Sequence, residues 1–230
     1  MEPADHIRTA LAKVTRLRNE ARKNPQLDES VRLVKQFQTK RFESTYSDLI
    51  ADGAYRDATR FFLKELYGEV SYVERDLQFS RIAGALQRVL PEQALATAIA
   101  LAQLHALSEE LDHAMAHALL KSARAGADDG MNRYVEAWRQ VGRRQARETQ
   151  LEVVLQIGND LKRLTRTPGL RLMLRLVHGP ATAAGLGALQ HFLEVGFDTF
   201  AAMGKNNTGA CGFLAIVRLR ECGFIQSMFG

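Results

Sequence analysis

Proline is scarce in this chain, and strand chemistry is missing from it. Five prolines serve 230 residues. Pro3, Pro25, Pro91, Pro168 and Pro180 each fall where a helical pattern begins or another has just ended. Alternating β-branched runs flanking Asn-Gly or Asp-Gly turns do not occur, which excludes a sheet protein. Two cysteines, Cys211 and Cys222, fit a reducing compartment. On one helix their spacing separates them by about 16 Å along the axis, too far for a disulfide. No apolar run approaches the roughly 20 residues that span a bilayer, and MEPADHIRTALAKV at the start lacks the apolar region of a signal peptide. The expectation is a cytoplasmic protein with no membrane association.

Catalytic signatures are equally short. Gly-x-Ser-x-Gly, Cys-x-x-Cys, His-Glu-x-x-His and Walker A patterns are absent from the sequence. Gly204-Lys205 followed by Asn206, Asn207, Thr208 and Gly209 has the composition of a phosphate loop in the wrong order, and reads as a surface turn. Gly185-Leu186-Gly187 follows no strand, so close helix packing explains it better than dinucleotide binding. An enzyme is disfavoured, and no cofactor is implied.

What the chain has is helix-forming residues. Ala, Leu, Arg, Glu and Gln fill the intervals between prolines. Helices are expected near 4–23, 27–51, 55–66, 72–89, 92–124, 131–165, 169–177, 181–203 and 211–228, giving an all-α fold of about nine helices in a single domain over 1–230. Apolar stripes mark the packed faces: Tyr55, Ala58, Phe62 and Leu66; Leu104, Leu111 and Met115; Leu189, Leu193, Phe197 and Phe200.

Charge is uneven although the total is only +5. Residues 1–41 carry ten Lys/Arg against five acids, residues 42–130 eight against fourteen, and residues 131–175 ten against four. The basic helices of 1–41 are expected to pack peripherally. Arg139, Arg143, Arg144 and Arg147 offer a basic face for nucleic acid or an acidic partner. No helix-turn-helix, zinc-finger or base-stacking motif accompanies them, so nucleic acid is the weaker reading.

The segment LHALSEELDHAMAH places His105, Glu109, His113 and His117 four residues apart, a spacing that lets pairs share a metal on one helix face. Helical projection puts His113 opposite the Leu104–Leu111–Met115 stripe, so the row is expected to be solvated and no metal site is assigned. His105 flanks the stripe and is expected to be partly buried and hydrogen-bonded.

The densest stretch is YRDATRFFLKELYGEVSYVERDLQFSR, from Tyr55 to Arg81. Gly68 supplies a helix stop. Arg75 and Asp76 read either as a buried ion pair fixing the bend or, with Tyr67, as an anion site in a pocket. Phe61-Phe62-Leu63-Lys64-Glu65-Leu66-Tyr67, with Gly68, Arg75-Asp76, Phe79 and Arg81, resembles the signature of the bacterial FFLEELY-motif proteins. Weaker likeness runs through LAQLHALSEELD and GPATAAGLGALQHFLEVGFDTFAAMG to Arg220-Glu221 and Met228-Phe229. Lys64 departs from the usual glutamate, and NNTGACG from a short final turn. The resemblance implies a family without an established activity, and supplies no site residues.

The functional expectation is a non-enzymatic helical binding or interaction module with an unknown protein partner, in which a homodimer is allowed. The alternative is a sensor holding an apolar or haem-like ligand near residues 55–67. Candidate site residues are Tyr67, Arg75, Asp76, His105, Arg143, Arg144 and Arg147. An enclosed apolar cavity with inward polar groups favours the ligand reading; an exposed apolar patch favours the interaction reading.

Overall fold

A computed structural model describes residues 1–51, 53–66, 72–123, 130–203 and 209–229. Eleven helices account for the ordered elements among them: α1 (Pro3–Arg22), α2 (Pro25–Thr45), α3 (Ser47–Ala51), α4 (Arg56–Leu66), α5 (Val73–Val89), α6 (Glu92–Ala123), α7 (Gly130–Val141), α8 (Arg144–Leu164), α9 (Leu170–Ala183), α10 (Gly187–Met203) and α11 (Gly209–Phe229). No strand occurs among the described residues. The all-α reading holds, and Ala58, Phe62, Leu104, Leu111, Met115, Leu189, Phe197 and Phe200 of the expected stripes are buried.

Two expected helices are each divided. The stretch 27–51 breaks at Tyr46, which ends α2 outside helical geometry and is fully buried. The stretch 131–165 breaks at Gly142 and Arg143, which both take left-handed conformations, with φ of 63° and 55°. For a non-glycine residue that conformation costs roughly 1–2 kcal/mol, and it turns α8 back across the bundle. Pro180 differs the other way. It lies inside α9, near its C-terminal end, where its missing N–H forfeits a single bond to the carbonyl of residue 176. Gly185, at φ 71°, follows the helix end instead.

The centre of the molecule is α6. From Leu101 to Leu120 every residue but Gln103 is at least partly buried, because α1, α2, α7 and α8 surround the helix. Burial on all sides explains why a single apolar stripe described α6 poorly. The basic N-terminal helices are not peripheral: Ile7 and Val14 of α1 and Val34 of α2 are each 0% exposed. Ile7, Leu11 and Val14 pack with Phe79 and Ala83 of α5, Ala102 and Ala106 of α6, and Phe192 of α10. Asn24 caps the turn between α1 and α2 by accepting from the backbone N–H groups of Gln26 and Leu27, with Pro25 in the first helical position.

Polar ties seat the remaining helices. Gln78 Oε1 accepts the Leu189 N–H at 2.9 Å, satisfying a donor in the first turn of α10. Arg81 donates to the carbonyls of Ala184 and Gly185 beyond the end of α9. Arg220 of α11 donates to the Thr45 carbonyl and to Asp48, and Arg41 and Tyr46 both donate to Glu221. Small residues allow the closest approaches. A Cβ on Gly158 would lie 2.5 Å from Leu214 Cδ2, and one on Gly196 would lie 3.0 Å from Phe61 Cζ.

Candidate functional site

Beside α6 runs a cavity of about 300 Å³, the lower end of the range that encloses small ligands. Part of its wall is apolar and aromatic: Phe61 and Phe62 of α4, Ala98 and Leu101 of α6, Met173 and Leu174 of α9, and Phe192, Leu193 and Phe197 of α10. The aromatic rings pack on one another, with Phe61 stacked on Phe192 at 5.8 Å between centroids and edge-on to Phe62 at 6.2 Å. Other wall residues are charged or polar: Lys35, Asp76, His105, Glu109, Asp112, Arg147 and Gln150.

Those polar groups form a buried network. Arg18 of α1 bridges two acids, donating through Nη1 to Asp76 at 2.8 Å and through Nη2 to Glu109 at 2.9 Å. Lys35 of α2 donates to the same Glu109 oxygen at 2.8 Å. His105 Nε2 lies 2.9 Å from Asp76 Oδ2 and, against an ionised carboxylate that only accepts, is the donor of this bond. Gln38 donates to Asp112 at 2.6 Å, and Gln150 to Ser108 at 2.7 Å. The guanidinium of Arg147, 5% exposed, lies 4.0 Å over the Trp138 ring. Trp138 also lines the cavity, and its buried Nε1 has no hydrogen-bond acceptor among the described residues.

Electrostatics divide the acids of the network. Burial pushes the Glu109 carboxyl up, but Lys35 and Arg18 outweigh it and hold the group at about 2. Burial opposes ionisation of Asp76 as well, and His105 and Arg18 together bring it below the ordinary carboxylate value. Asp112 goes the other way: full burial drives it upward, and the nearby Glu109 charge adds to the shift. Burial likewise pushes the Tyr134 hydroxyl up to about 12.

The sequence-derived candidates separate on this map. Asp76 and His105 meet directly. Arg75 and Asp76 do not pair as a bend-fixing unit, because one residue of helix advance sends them to different neighbours. Asp76 turns to α1 and α6, whereas the Arg75 guanidinium sits over the rings of Tyr72 and Phe192 at 4.2 and 4.5 Å. Tyr67 lies outside the described residues, as does the 204–208 stretch read as a surface turn. The basic face of α7 and α8 does not form as one surface. Arg147 is buried, Arg143 is paired with Glu110 at 2.6 Å, Arg144 with Glu148 at 2.9 Å, and Arg139 donates to the Met228 carbonyl.

Glu109 and His113, expected in a solvated row, are 6% and 8% exposed. The projection failed because α6 packs on every side, so the face opposite its leucines is also interior. Sequence reasoning missed Arg18 and Lys35 altogether. A signal for Arg18 existed: Ile7, Leu11, Val14, Arg18 and Ala21 advance by four and three residues along one helical face. An arginine in that series sits at a core position, where it needs an acid.

Fold and site together define an all-helical protein built around a central helix, with a cavity walled by aromatic and charged groups. The chain belongs to the family described as Domain of unknown function (DUF8198), which matches residues 17–230. No curated protein and no solved structure matches the chain. No helix among the described residues is long and apolar enough to cross a membrane.

Proposed function

We propose that this protein is a non-enzymatic binding module that holds a small, largely apolar ligand in the cavity beside α6. One observation carries the reading: a space of about 300 Å³ whose wall combines clustered phenylalanines with buried charged groups. Such a wall suits a molecule with an apolar body and a polar end. His105 is committed through Nε2 to Asp76, so a haem axial role is the less favoured form of the idea. The FFLKELY segment places Phe61 and Phe62 at the cavity wall. The reading is of a sensor or carrier in the cytoplasm, in which this segment, similar to the signature of the bacterial FFLEELY-motif proteins, forms part of the wall.

Native mass spectrometry of freshly purified protein tests this, with Ala98→Trp as the cavity-filling variant. A ligand mass on the native chain that is absent from a folded Ala98→Trp chain is the expected result. An unliganded native chain that also fails to take up an apolar fluorescent probe would sink the idea.

A second reading rests on α9, where Leu172 and Leu176 are 61% and 68% exposed one turn apart. That face suits a protein partner or a second copy of the chain. Sedimentation of the purified protein would show self-association if a second copy covers it.

A further inference from the structure

We propose that Glu20, His113 and His117 form a binding site for a zinc ion between α1 and α6. The site is separate from the cavity and independent of what the cavity holds. His113 and His117 lie one turn apart on α6, and α1, which packs along α6, brings Glu20 to them. Their three ligand atoms all fall within 4.8 Å of one another.

The distances fit a metal. His113 Nε2 and His117 Nε2 are 3.3 Å apart, and Glu20 Oε1 is 3.4 Å from the first and 3.8 Å from the second. Two bonds of about 2.0–2.1 Å to tetrahedral zinc separate their ligand atoms by about 3.4 Å. The three atoms therefore outline one face of a coordination tetrahedron with little rearrangement. The rings meet nearly edge to face, at 77°, so the two Nε2 atoms approach one point without stacking.

The ligand chemistry selects the ion. Two imidazoles and a single carboxylate suit zinc and its transition-metal neighbours, whereas calcium and magnesium require an oxygen-rich set. Burial is graded: His113 is 8% exposed, while the His117 and Glu20 side chains are 45% and 49% exposed. The ion would thus have a fixed inner ligand and an open outer side, leaving a fourth position for water or a partner's side chain. The row spaced by fours along α6 consequently divides by role. His105 and Glu109 are held by Asp76, Arg18 and Lys35, and His113 and His117 face Glu20.

The test is zinc titration by calorimetry on the untagged, chelator-treated full chain near neutral pH, with cobalt(II) substitution read by visible absorption. Cys211→Ser and Cys222→Ser serve as background, since both thiols are exposed. One ion per chain and the visible bands of tetrahedral cobalt are expected. His117→Ala and Glu20→Ala should each weaken binding by about 100-fold or more, beyond the 10–100-fold typical of outer-shell changes. Both residues are partly solvent-exposed, so the variants should keep the helical circular dichroism of the parent. Zinc should raise the melting temperature of the parent and not of a variant carrying both Glu20→Ala and His117→Ala. Failure to bind zinc overturns the proposal, as does binding that both variants leave intact.

Discussion

Arg18 and Asp76 stand 58 positions apart in the chain and 2.8 Å apart in the fold. Through this pair α1 is tied to α5, and through the other Nη of Arg18 to Glu109 on α6. Removing Arg18 leaves two acids, each about 6% exposed, without their shared cation. Arg18→Met is therefore expected to lower unfolding free energy by about 3–5 kcal/mol, the range for a broken buried pair, read from urea denaturation.

Arg75→Ala, which takes the guanidinium off the rings of Tyr72 and Phe192, should cost less, about 1–2 kcal/mol. A loss equal to that of Arg18→Met would contradict the division of this adjacent Arg-Asp sequence into two separate roles.

Acid should attack the network first. The Glu109 carboxyl sits at about 2 in the folded chain, against about 4.3 unfolded. A depressed folded value gives stability that is complete above the unfolded value and lost as pH falls toward the folded one. Asp76 shifts in the same direction. Unfolding free energy should thus fall between about pH 4.5 and pH 2, and Glu109→Gln should flatten that fall while lowering stability at neutral pH. An unchanged slope in the variant would place the acid sensitivity elsewhere.

At the α7–α8 turn the comparison is between two substitutions. Arg143→Gly and Arg143→Ala both delete the contact with Glu110, but only glycine relieves the left-handed backbone at φ 55°. The glycine variant should be the more stable by about 1 kcal/mol, measured by thermal unfolding.

Gly158→Ala drives a methyl group to within 2.5 Å of Leu214 Cδ2. Overpacking of that kind costs about 1–3 kcal/mol, and shortening the neighbour should recover part of it. A double-mutant cycle of Gly158→Ala with Leu214→Ala is expected to show favourable coupling.

How much of this was legible beforehand depended on how many sides each helix packs. Stripes on α4 and α10 gave Phe62, Phe197 and Phe200 correctly, since those helices bury mainly one face. On α6 the same logic put His113 in water, because periodicity reports a contrast between faces and a helix buried all round has little. Glu109 then looked like surface, and nothing marked Asp112 as interior. Their partners lie on α1 and α2, 91 and 74 positions away, and no local pattern encodes such pairs. The break at Tyr46 was hidden for another reason, since tyrosine is not a usual helix terminator. At the α7–α8 break Gly142 was a usable stop signal, and the expected helix 131–165 ran through it. Arg81, Arg220 and Glu221 serve as ties between helices.

One feature of α1 bears on how the molecule is divided for study. The family match begins at residue 17, in the middle of a helix that starts at Pro3. Ile7, Leu11 and Val14, which cover Phe79, Ala83 and Phe192, all lie before that point. A polypeptide trimmed to the match would keep Arg18 but open that cluster to water, inviting aggregation. A boundary drawn by resemblance and one drawn by packing do not coincide here, and the latter is the one to cut by.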